Sequence, residues 1–190
     1  MPNNYFEDNE IKGIDFSKHP LEKGEYENCT FINCNFTQST LANIVFSECH
    51  FDQCDLSLTN LTNTTLRDVR FAGCKLMGLH FESCSDILFS VHFDNCRLNL
   101  SSFYQRNLKK TLFKDCNLGE VDFTEANLAE SVFKNCDLSG ATFENTNLER
   151  ADLRTAYNYT IDPDANRIKK AKFDTHGLKG LLTKYNIIIE

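Results

Sequence analysis

Large apolar side chains recur at every fifth position of the chain from Phe16 to Leu153, with a single break near the middle. An amphipathic helix repeats every three to four residues, roughly, and a half-buried strand every two, so a period of five fits neither. The pattern therefore predicts a structural unit of five residues. The apolar centres before the break are Phe16, Leu21, Tyr26, Phe31, Phe36, Leu41, Phe46, Phe51, Leu56, Leu61, Leu66, Phe71, Leu76 and Phe81. After the break, two residues out of phase, they are Leu88, Phe93, Leu98, Phe103, Leu108, Phe113, Leu118, Phe123, Leu128, Phe133, Leu138, Phe143, Leu148 and Leu153.

A second position, two residues before each apolar centre, prefers small side chains such as Ser39, Thr59 and Ala126. All nine cysteines occupy this slot. We expect both positions of each unit to point into the molecule. Because buried cysteine behaves as a small apolar residue, the sequence predicts reduced thiols and a cytoplasmic location.

If each unit turns the chain through one corner, four units close a square coil of 20 residues, and residues 20 apart lie above one another. Phenylalanine and cysteine both recur at this interval on each side of the break, as the coil requires. The predicted phenylalanine column is Phe31, Phe51, Phe71, Phe93, Phe113 and Phe133. The predicted cysteine column is Cys34, Cys54, Cys74, Cys96, Cys116 and Cys136.

Units such as CNLGE, ANLAE, CDLSG and ADLRT resemble the pentapeptide-repeat family. The resemblance implies a right-handed quadrilateral β-helix. We therefore predict an all-β solenoid of about seven four-pentad coils over residues 1–158, followed by a capping or dimerisation segment at residues 159–190. The segment is expected to contain a short helix and a strand.

The break in the repeat places two extra residues between Ser85 and Ser90. A solenoid accepts insertions only where they can project outward, so this segment is either a functional loop or a bulge at one corner. We favour the bulge, because the columns stay aligned on both sides of it.

Composition agrees with a soluble single domain, since 41% of the residues are hydrophobic and no long apolar run occurs. The polar start, Met1 to Glu10, has no features of a signal peptide. The five histidines are scattered without partners at metal-ligand spacing, and no glycine-rich phosphate loop is present. We therefore expect no catalytic residues, no metal, no cofactor, no membrane association and no direct contact with nucleic acid.

Charge is unevenly distributed along the chain. The formal net charge is −7, and residues 115–153 alone contain nine acidic and two basic residues. These acids must project from the rod, because inward slots are expected to exclude charge. The surface could imitate duplex DNA, or it could serve only for solubility. The predicted partner-binding acids, the acidic face, are Asp115, Glu120, Asp122, Glu125, Glu130, Asp137, Glu144, Glu149 and Asp152.

The C-terminal segment is predicted to contain a turn at Asp162-Pro163, a short helix with its N-cap at Thr175, and a strand at residues 186–190. Its apolar side chains would cover the last coil as a lid or join two copies in a two-fold dimer. The predicted dimer interface consists of Leu178, Leu181, Leu182, Tyr185, Ile187, Ile188 and Ile189.

An Asp-Pro turn after the last repeat, a short helix and a terminal aliphatic strand resemble the tail of the Qnr-type quinolone-resistance proteins and the mycobacterial gyrase-protecting protein. The resemblance implies a tail-to-tail homodimer that imitates B-form DNA. Its implied partner is DNA gyrase or topoisomerase IV, which it would protect from quinolones or gyrase poisons. The chain departs from many Qnr proteins in lacking two long projecting loops. An interaction scaffold unrelated to gyrase is the alternative.

Overall fold

The computed structural model describes residues 4–188 as a stack of short parallel strands. Each apolar centre lies within or beside an extended segment, and a tight turn separates one segment from the next. The strands are β1 (Asn4–Glu7), β2 (Glu10–Lys12), β3 (Gly24–Glu27), β4 (Thr30–Ile32), β5 (Val45–Ser47), β6 (His50–Asp52), β7 (Thr65–Arg67), β8 (Val69–Ala72), β9 (Val91–Asp94), β10 (Leu112–Lys114) and β11 (Val132–Lys134).

All strand pairs are parallel, and on each side of the break the register joins residues 20 apart, as in Phe31 with Phe51. One sheet has the order β1-β3-β5-β7 and a second has the order β11-β10-β9-β8-β6-β4-β2. Isolated bridges along the other walls continue the same stacking. The chain therefore forms the predicted quadrilateral β-helix of about seven turns.

The four walls, called faces 1 to 4 below, are each defined by a column of buried side chains. Face 1 is centred on Phe31, Phe51, Phe71, Phe93, Phe113 and Phe133. Face 2 is centred on Phe36, Leu56, Leu76, Leu98, Leu118 and Leu138. Face 3 is centred on Leu41, Leu61, Phe81, Phe103, Phe123 and Phe143. Face 4 is centred on Phe46, Leu66, Leu108, Leu128 and Leu148.

The phenylalanines of face 1 stack along the rod as predicted. Ring centroids of Phe113 and Phe133 are 5.0 Å apart with an interplanar angle of 4°. Phe113 also meets Phe123 of face 3 edge-on, at 6.0 Å and 81°. Such offset-stacked and edge-to-face contacts each stabilise a core by about 0.5–1.5 kcal/mol beyond the area they bury. The interior is thus a continuous aromatic and aliphatic column.

The corners are turned by residues two positions after each centre, and most of these residues have a positive φ. Gln38, Asn63 and Gln105 are examples, with φ of 56°, 54° and 57°. Asparagine and aspartate adopt this left-handed conformation more readily than most residues other than glycine. The backbone N–H of most corner residues bonds to the next coil, as Gln38 does to the carbonyl of Ser57 at 3.0 Å. These bonds hold the corners in a strained conformation.

All nine cysteines are free and buried, as the sequence predicted. Most of the thiols donate to a backbone carbonyl of a neighbouring coil; Cys96 Sγ, for example, donates to the Phe71 carbonyl at 3.4 Å. Burial raises the pKa of the Cys84 thiol to about 12. The Cys84 thiol is therefore held in its protonated form, and the nine buried cysteines serve as packing groups.

The break in the repeat is a bulge on face 4. The register across it shifts to 22 residues, with Val69 opposite Val91. The prediction that Leu88 is an inward centre is wrong: its side chain is 65% exposed and its φ is 51°. Ile87 is equally exposed, while Phe89 packs partly against the core. The chain turns outward here because the two extra residues do not fit into a five-residue unit.

Arg106 occupies the inward slot beneath this bulge and is only 4% exposed. Its guanidinium donates to the Cys84 carbonyl at 2.8 Å and the Ser85 carbonyl at 3.0 Å, and pairs with the Asp86 carboxylate. It also lies 4.5 Å from the centroid of the Phe89 ring. The expectation that inward slots exclude charge is therefore wrong at this position. The carbonyls freed by the bulge provide the acceptors that make a buried arginine stable.

The stacked coils continue past the predicted boundary at residue 158. Bridges join Asn147 to Arg167 and Asp152 to Lys172. A turn follows Asp162, whose Oδ1 accepts the N–H of Asp164 at 2.8 Å. Residues 159–172 are thus part of the solenoid, and only the residues after them cover its end.

The terminal helix, α1 (Lys179–Leu182), begins later than predicted, and Thr175 is not its N-cap. Asp174 instead accepts the N–H of Gly177 at 2.7 Å, and this turn delays the helix. The Gly180 carbonyl accepts the N–H of Ile161, which ties α1 to the last coil.

A 3-10 turn, Thr183–Tyr185, follows α1. The predicted strand is absent over residues 186–188, where Asn186 is left-handed with φ 49°; Ile189 and Glu190 lie outside the described residues. Lys184 fastens this end, since its ammonium group pairs with Asp162 at 2.6 Å and with Asp164. The helices between residues 4 and 188 are all too short to cross a membrane.

Candidate protein-binding surface

One coil of the rod carries a carboxylate at each of its four corners. Asp115, Glu120, Glu125 and Glu130 all occupy the corner position, with φ between 53° and 61°. A corner side chain points away from the core, because its backbone marks the turn between two inward-facing segments. The coil therefore presents a ring of negative charge around the rod.

The following coil adds one acid on each face. Asp152 lies on face 1, Asp137 on face 2, Glu144 on face 3 and Glu149 on face 4, and Asp122 lies one coil earlier on face 3. None of the nine predicted acids is buried. The structure distributes them around all four faces, so the predicted acidic face is an acidic belt.

Basic partners divide the belt into two halves. Four of the nine carboxylates have a lysine or arginine within 4.0 Å, and these four lie on faces 4 and 1 or at their edges. The pairs are Asp115 with Lys114, Glu130 with Lys109 and Lys110, Glu149 with Arg167, and Asp152 with Arg154. The five without such a partner in the described part of the chain are Glu120, Asp122, Glu125, Asp137 and Glu144. Unneutralised charge is therefore concentrated on faces 2 and 3.

Two of these acids also accept hydrogen bonds from backbone N–H groups. Asp122 Oδ1 accepts the N–H of Thr124 at 2.9 Å. Asp137 accepts the N–H of Ser139 at 3.1 Å, the Ser139 hydroxyl at 2.6 Å and the Asn158 amide at 3.0 Å. Burial opposes ionisation of Asp137, but these hydrogen bonds outweigh it and lower its pKa. The Asp137 carboxylate therefore remains charged at neutral pH.

An apolar ridge lies at the corner between faces 2 and 3, on the same edge as Glu120. Leu58 and Leu100 occupy corner positions with φ of 58° and 63°, and their side chains are 57% and 58% exposed. Gly78 lies between them, and a Cβ there would come within 2.7 Å of the Leu58 side chain. Met77 is 38% exposed beside it. This ridge was not predicted from the sequence, although its signal is a leucine two residues after an apolar centre.

The predicted dimer residues lie at the C-terminal end of the rod but differ in exposure. Leu181 packs against the core, and Leu182 is half-buried. Leu178, Tyr185, Ile187 and Ile188 are 44%, 54%, 55% and 89% exposed. Ile189 lies outside the described residues. The end of the rod thus displays four large exposed apolar side chains within residues 178–188.

Residues 4–188 contain no group of three or more histidine, cysteine or acidic side chains placed to hold a metal ion. The histidines are less scattered than the sequence suggested, because the strand register brings His50 and His92 to either side of Arg70 on face 1. The 20-residue period, corrected for the two extra residues, could have predicted this row.

A family model described as pentapeptide repeat region matches residues 24–85 and 86–157. Among solved structures, the full-length form of QnrB1, a plasmid-mediated fluoroquinolone resistance protein, is 20% identical with a TM-score of 0.46, over 97% of this chain and 100% of that one. HetL, involved in heterocyst differentiation regulation in the cyanobacterium Nostoc sp. strain PCC 7120, is 15% identical with a TM-score of 0.40, over 90% and 86%. No curated protein matches the chain.

Proposed function

This chain belongs to the pentapeptide-repeat family, and from that premise we propose that it is a non-catalytic rod that imitates duplex DNA. Its partner is a type II topoisomerase, DNA gyrase or topoisomerase IV, which it protects from quinolones or gyrase poisons. The acidic belt is the binding surface.

The observation that carries this proposal is the concentration of unneutralised carboxylates on faces 2 and 3. Glu120 and Glu125 flank face 3 at its two corners, and Asp122 and Glu144 lie between them on consecutive coils. Duplex DNA is recognised mainly through regularly spaced negative charge on a stiff cylinder. A solenoid with a filled core supplies the stiffness, and these four side chains supply charge at fixed positions.

The apolar ridge favours a protein partner over a purely solubilising surface. Leu58 and Leu100 hold left-handed corner conformations, which are costly for a leucine, and expose more than half of their side chains. Exposed apolar groups beside a charged surface are typical of protein interaction sites. The ridge joins the acidic belt at Glu120, so a single partner could cover both.

We further propose that the exposed apolar tail joins two copies at their C-terminal ends. The second copy would then cover Leu178, Tyr185, Ile187 and Ile188. The acidic belt lies just before this end, so two copies would carry their belts on either side of a two-fold axis. The nine buried free thiols suit a reducing compartment, which supports a cytoplasmic location.

A scaffold role unrelated to gyrase is the second candidate, and the apolar ridge is the observation that favours it. Such a scaffold would use Leu58 and Leu100 without needing the belt. Substitution of both leucines by serine would then abolish partner binding, while loss of the carboxylates would leave it intact.

The test is a gyrase supercoiling assay under ciprofloxacin with purified protein. We expect the protein to restore supercoiling, and we expect a triple variant, Glu120→Gln, Glu125→Gln and Glu144→Gln, to lose most of the rescue. The matched control removes three charges from the paired half of the belt, with Glu130→Gln, Glu149→Gln and Asp152→Asn. It should retain rescue, because basic partners already neutralise those carboxylates. Absence of rescue by the wild-type protein would overturn the proposal.

A further inference from the structure

A cleft on face 1, well away from the acidic half of the belt, contains basic and imidazole side chains in a row. Its volume is about 370 Å³. His50, Arg70 and His92 line one side, and Ala72 and Leu112 lie among the remaining lining residues. The cleft is part of neither the proposed topoisomerase surface nor the tail.

Strand register creates the row. His50 on β6 is paired with Arg70 on β8, and Arg70 is paired with His92 on β9. Neighbouring strands are about 4.8 Å apart, so the three side chains emerge side by side along the rod. This spacing lets one small oxyanion contact the central guanidinium and an imidazole on either side.

A small side chain opens the space beside the row. Ala72 lies in the next outward column of the same sheet, between Asp52 and Asp94 in the strand register. A methyl group at this position leaves a gap that a longer side chain would fill. Asp94 is engaged by Lys114 at 2.8 Å, so its charge is partly neutralised where it borders the cleft.

Arg70 has no ion pair or side-chain hydrogen bond within residues 4–188. This is notable in a chain of net charge −7, because carboxylates are abundant elsewhere on the surface. The guanidinium presents a planar fork of donors, which matches the two oxygens of a carboxylate or phosphate.

His92, which lines the cleft, is arranged to carry its ring proton on Nε2. The N–H of Leu112 donates to His92 Nδ1 at 3.4 Å, so the ring proton of the neutral imidazole belongs on Nε2. Burial lowers the pKa of His92, and the positive charge of Arg70 lowers it further. The imidazole can therefore donate one hydrogen bond without adding charge.

We propose that this cleft binds a small organic anion. Its carboxylate or phosphate group is held by Arg70 between His50 and His92, and its apolar body lies over Ala72 and Leu112. The apolar part follows from the lining, where Leu112 is 37% exposed and closes one end of the row. The site is independent of the proposed topoisomerase binding, so each can fail without the other.

NMR titration of the purified full chain tests the site, with benzoate as the organic anion, inorganic phosphate as the simple oxyanion and benzyl alcohol as the uncharged analogue. We expect benzoate to shift the His50 and His92 ring signals and to bind at least tenfold more tightly than phosphate or benzyl alcohol. Phosphate binding as tightly as benzoate would overturn the apolar part of the proposal. Equal binding of benzyl alcohol would overturn the anion part.

Substitution then locates the ligand. Arg70→Gln should weaken benzoate binding at least tenfold, and Ala72→Leu should do the same by filling the cleft while leaving every charge in place. Arg97→Gln removes an equal charge from face 2 and should leave benzoate binding unchanged. Unaltered binding by both cleft variants would show that benzoate binds elsewhere and would refute the site.

The pKa of His92 gives a second readout. The charged groups that act on this ring are Arg70 and Asp68. His50 and Asp94 line the same cleft, and Lys114 pairs with Asp94. A bound anion stabilises the imidazolium form, so saturation with benzoate should raise the pKa of His92. No rise at saturation, or a fall, would contradict contact between the anion and this ring.

Discussion

The guanidinium of Arg106 donates to the backbone carbonyl of Cys84 at 2.8 Å, across the one place where the five-residue repeat is interrupted. The two residues belong to the same column of inward slots, one coil apart. A side chain that the repeat would normally exclude therefore fills the space that the bulge leaves in the core.

Replacement of Arg106 by alanine should destabilise the protein by about 2–4 kcal/mol. The change leaves the Cys84 and Ser85 carbonyls without a donor, opens a cavity and frees the stacked Phe89 ring. Urea unfolding followed by circular dichroism measures the loss. The control is Arg97→Ala on the exposed surface of face 2, which should cost less than about 0.5 kcal/mol. Equal midpoints for the two variants would show that Arg106 does not hold the bulge.

The nine thiols should resist modification in the folded protein. All nine side chains are buried away from the reagent, and burial raises the pKa of Cys49 and of Cys84 to about 12, so these two thiols are protonated at pH 8. A colorimetric disulfide reagent should modify almost none of the nine without denaturant and all of them in guanidinium chloride. Rapid modification of several thiols under native conditions would contradict the packed ladder.

Asp137 should make stability depend on acid pH. Its folded pKa lies below the unfolded value, so its contribution is fully present above the unfolded pKa of about 3.9 and is lost as pH falls through the folded pKa. Asp137→Asn keeps the turn, because Asn117 makes the same bond to the Gly119 N–H one coil earlier. We expect the variant to be less stable than wild type at pH 7, to match it only at a pH well below the folded pKa of Asp137, and to lose less stability than wild type on acidification.

Thermal unfolding at intervals between pH 2 and pH 7 gives this comparison. Glu144→Gln, at an exposed position without a basic partner in the described residues, serves as a control for the removal of one acid. Parallel curves for wild type and Asp137→Asn would mean that the Ser139 and Asn158 bonds do not favour the ionised carboxylate.

The tail should control the oligomeric state. Light scattering of the full chain is expected to give about twice the monomer mass of 21.8 kDa. Deletion of residues 184–190 should give monomers, because it removes Tyr185, Ile187 and Ile188 along with Lys184. A point variant, Ile188→Asp, tests the same contact while keeping the pairs of Lys184 with Asp162 and Asp164. A deletion variant that stays dimeric would show that the tail only covers the last coil and does not join two copies.

The regular part of this fold could be predicted from the sequence because the five-residue repeat is clear along most of the chain. Phe113 and Phe133 stack as their 20-residue spacing requires. The bulge was located correctly for the same reason, since the phase change marks it. What the period cannot reveal is how the chain uses the extra space, so the outward turn of Leu88 and the inward arginine at position 106 were missed.

The candidate surface was predictable only in part. That Glu120 and Glu144 lie outside follows from the slots they occupy. The slots do not show which acids are neutralised, because pairs such as Glu149 with Arg167 join residues 18 apart, in neighbouring coils. Nor does sequence spacing give the delayed start of α1, which depends on the Asp174 turn and on the close approach of Gly180 to Tyr159.

The most direct test of the central claim is competition between this protein and duplex DNA for gyrase. A fluorescent duplex bound to gyrase should be displaced by the protein in proportion to its concentration, and displacement should weaken as salt rises, since both ligands bind through charge. The Glu120, Glu125 and Glu144 triple variant should displace at least tenfold less well than the paired-half control. Gyrase that binds both the duplex and the protein at once, with no displacement at low salt, would contradict DNA mimicry.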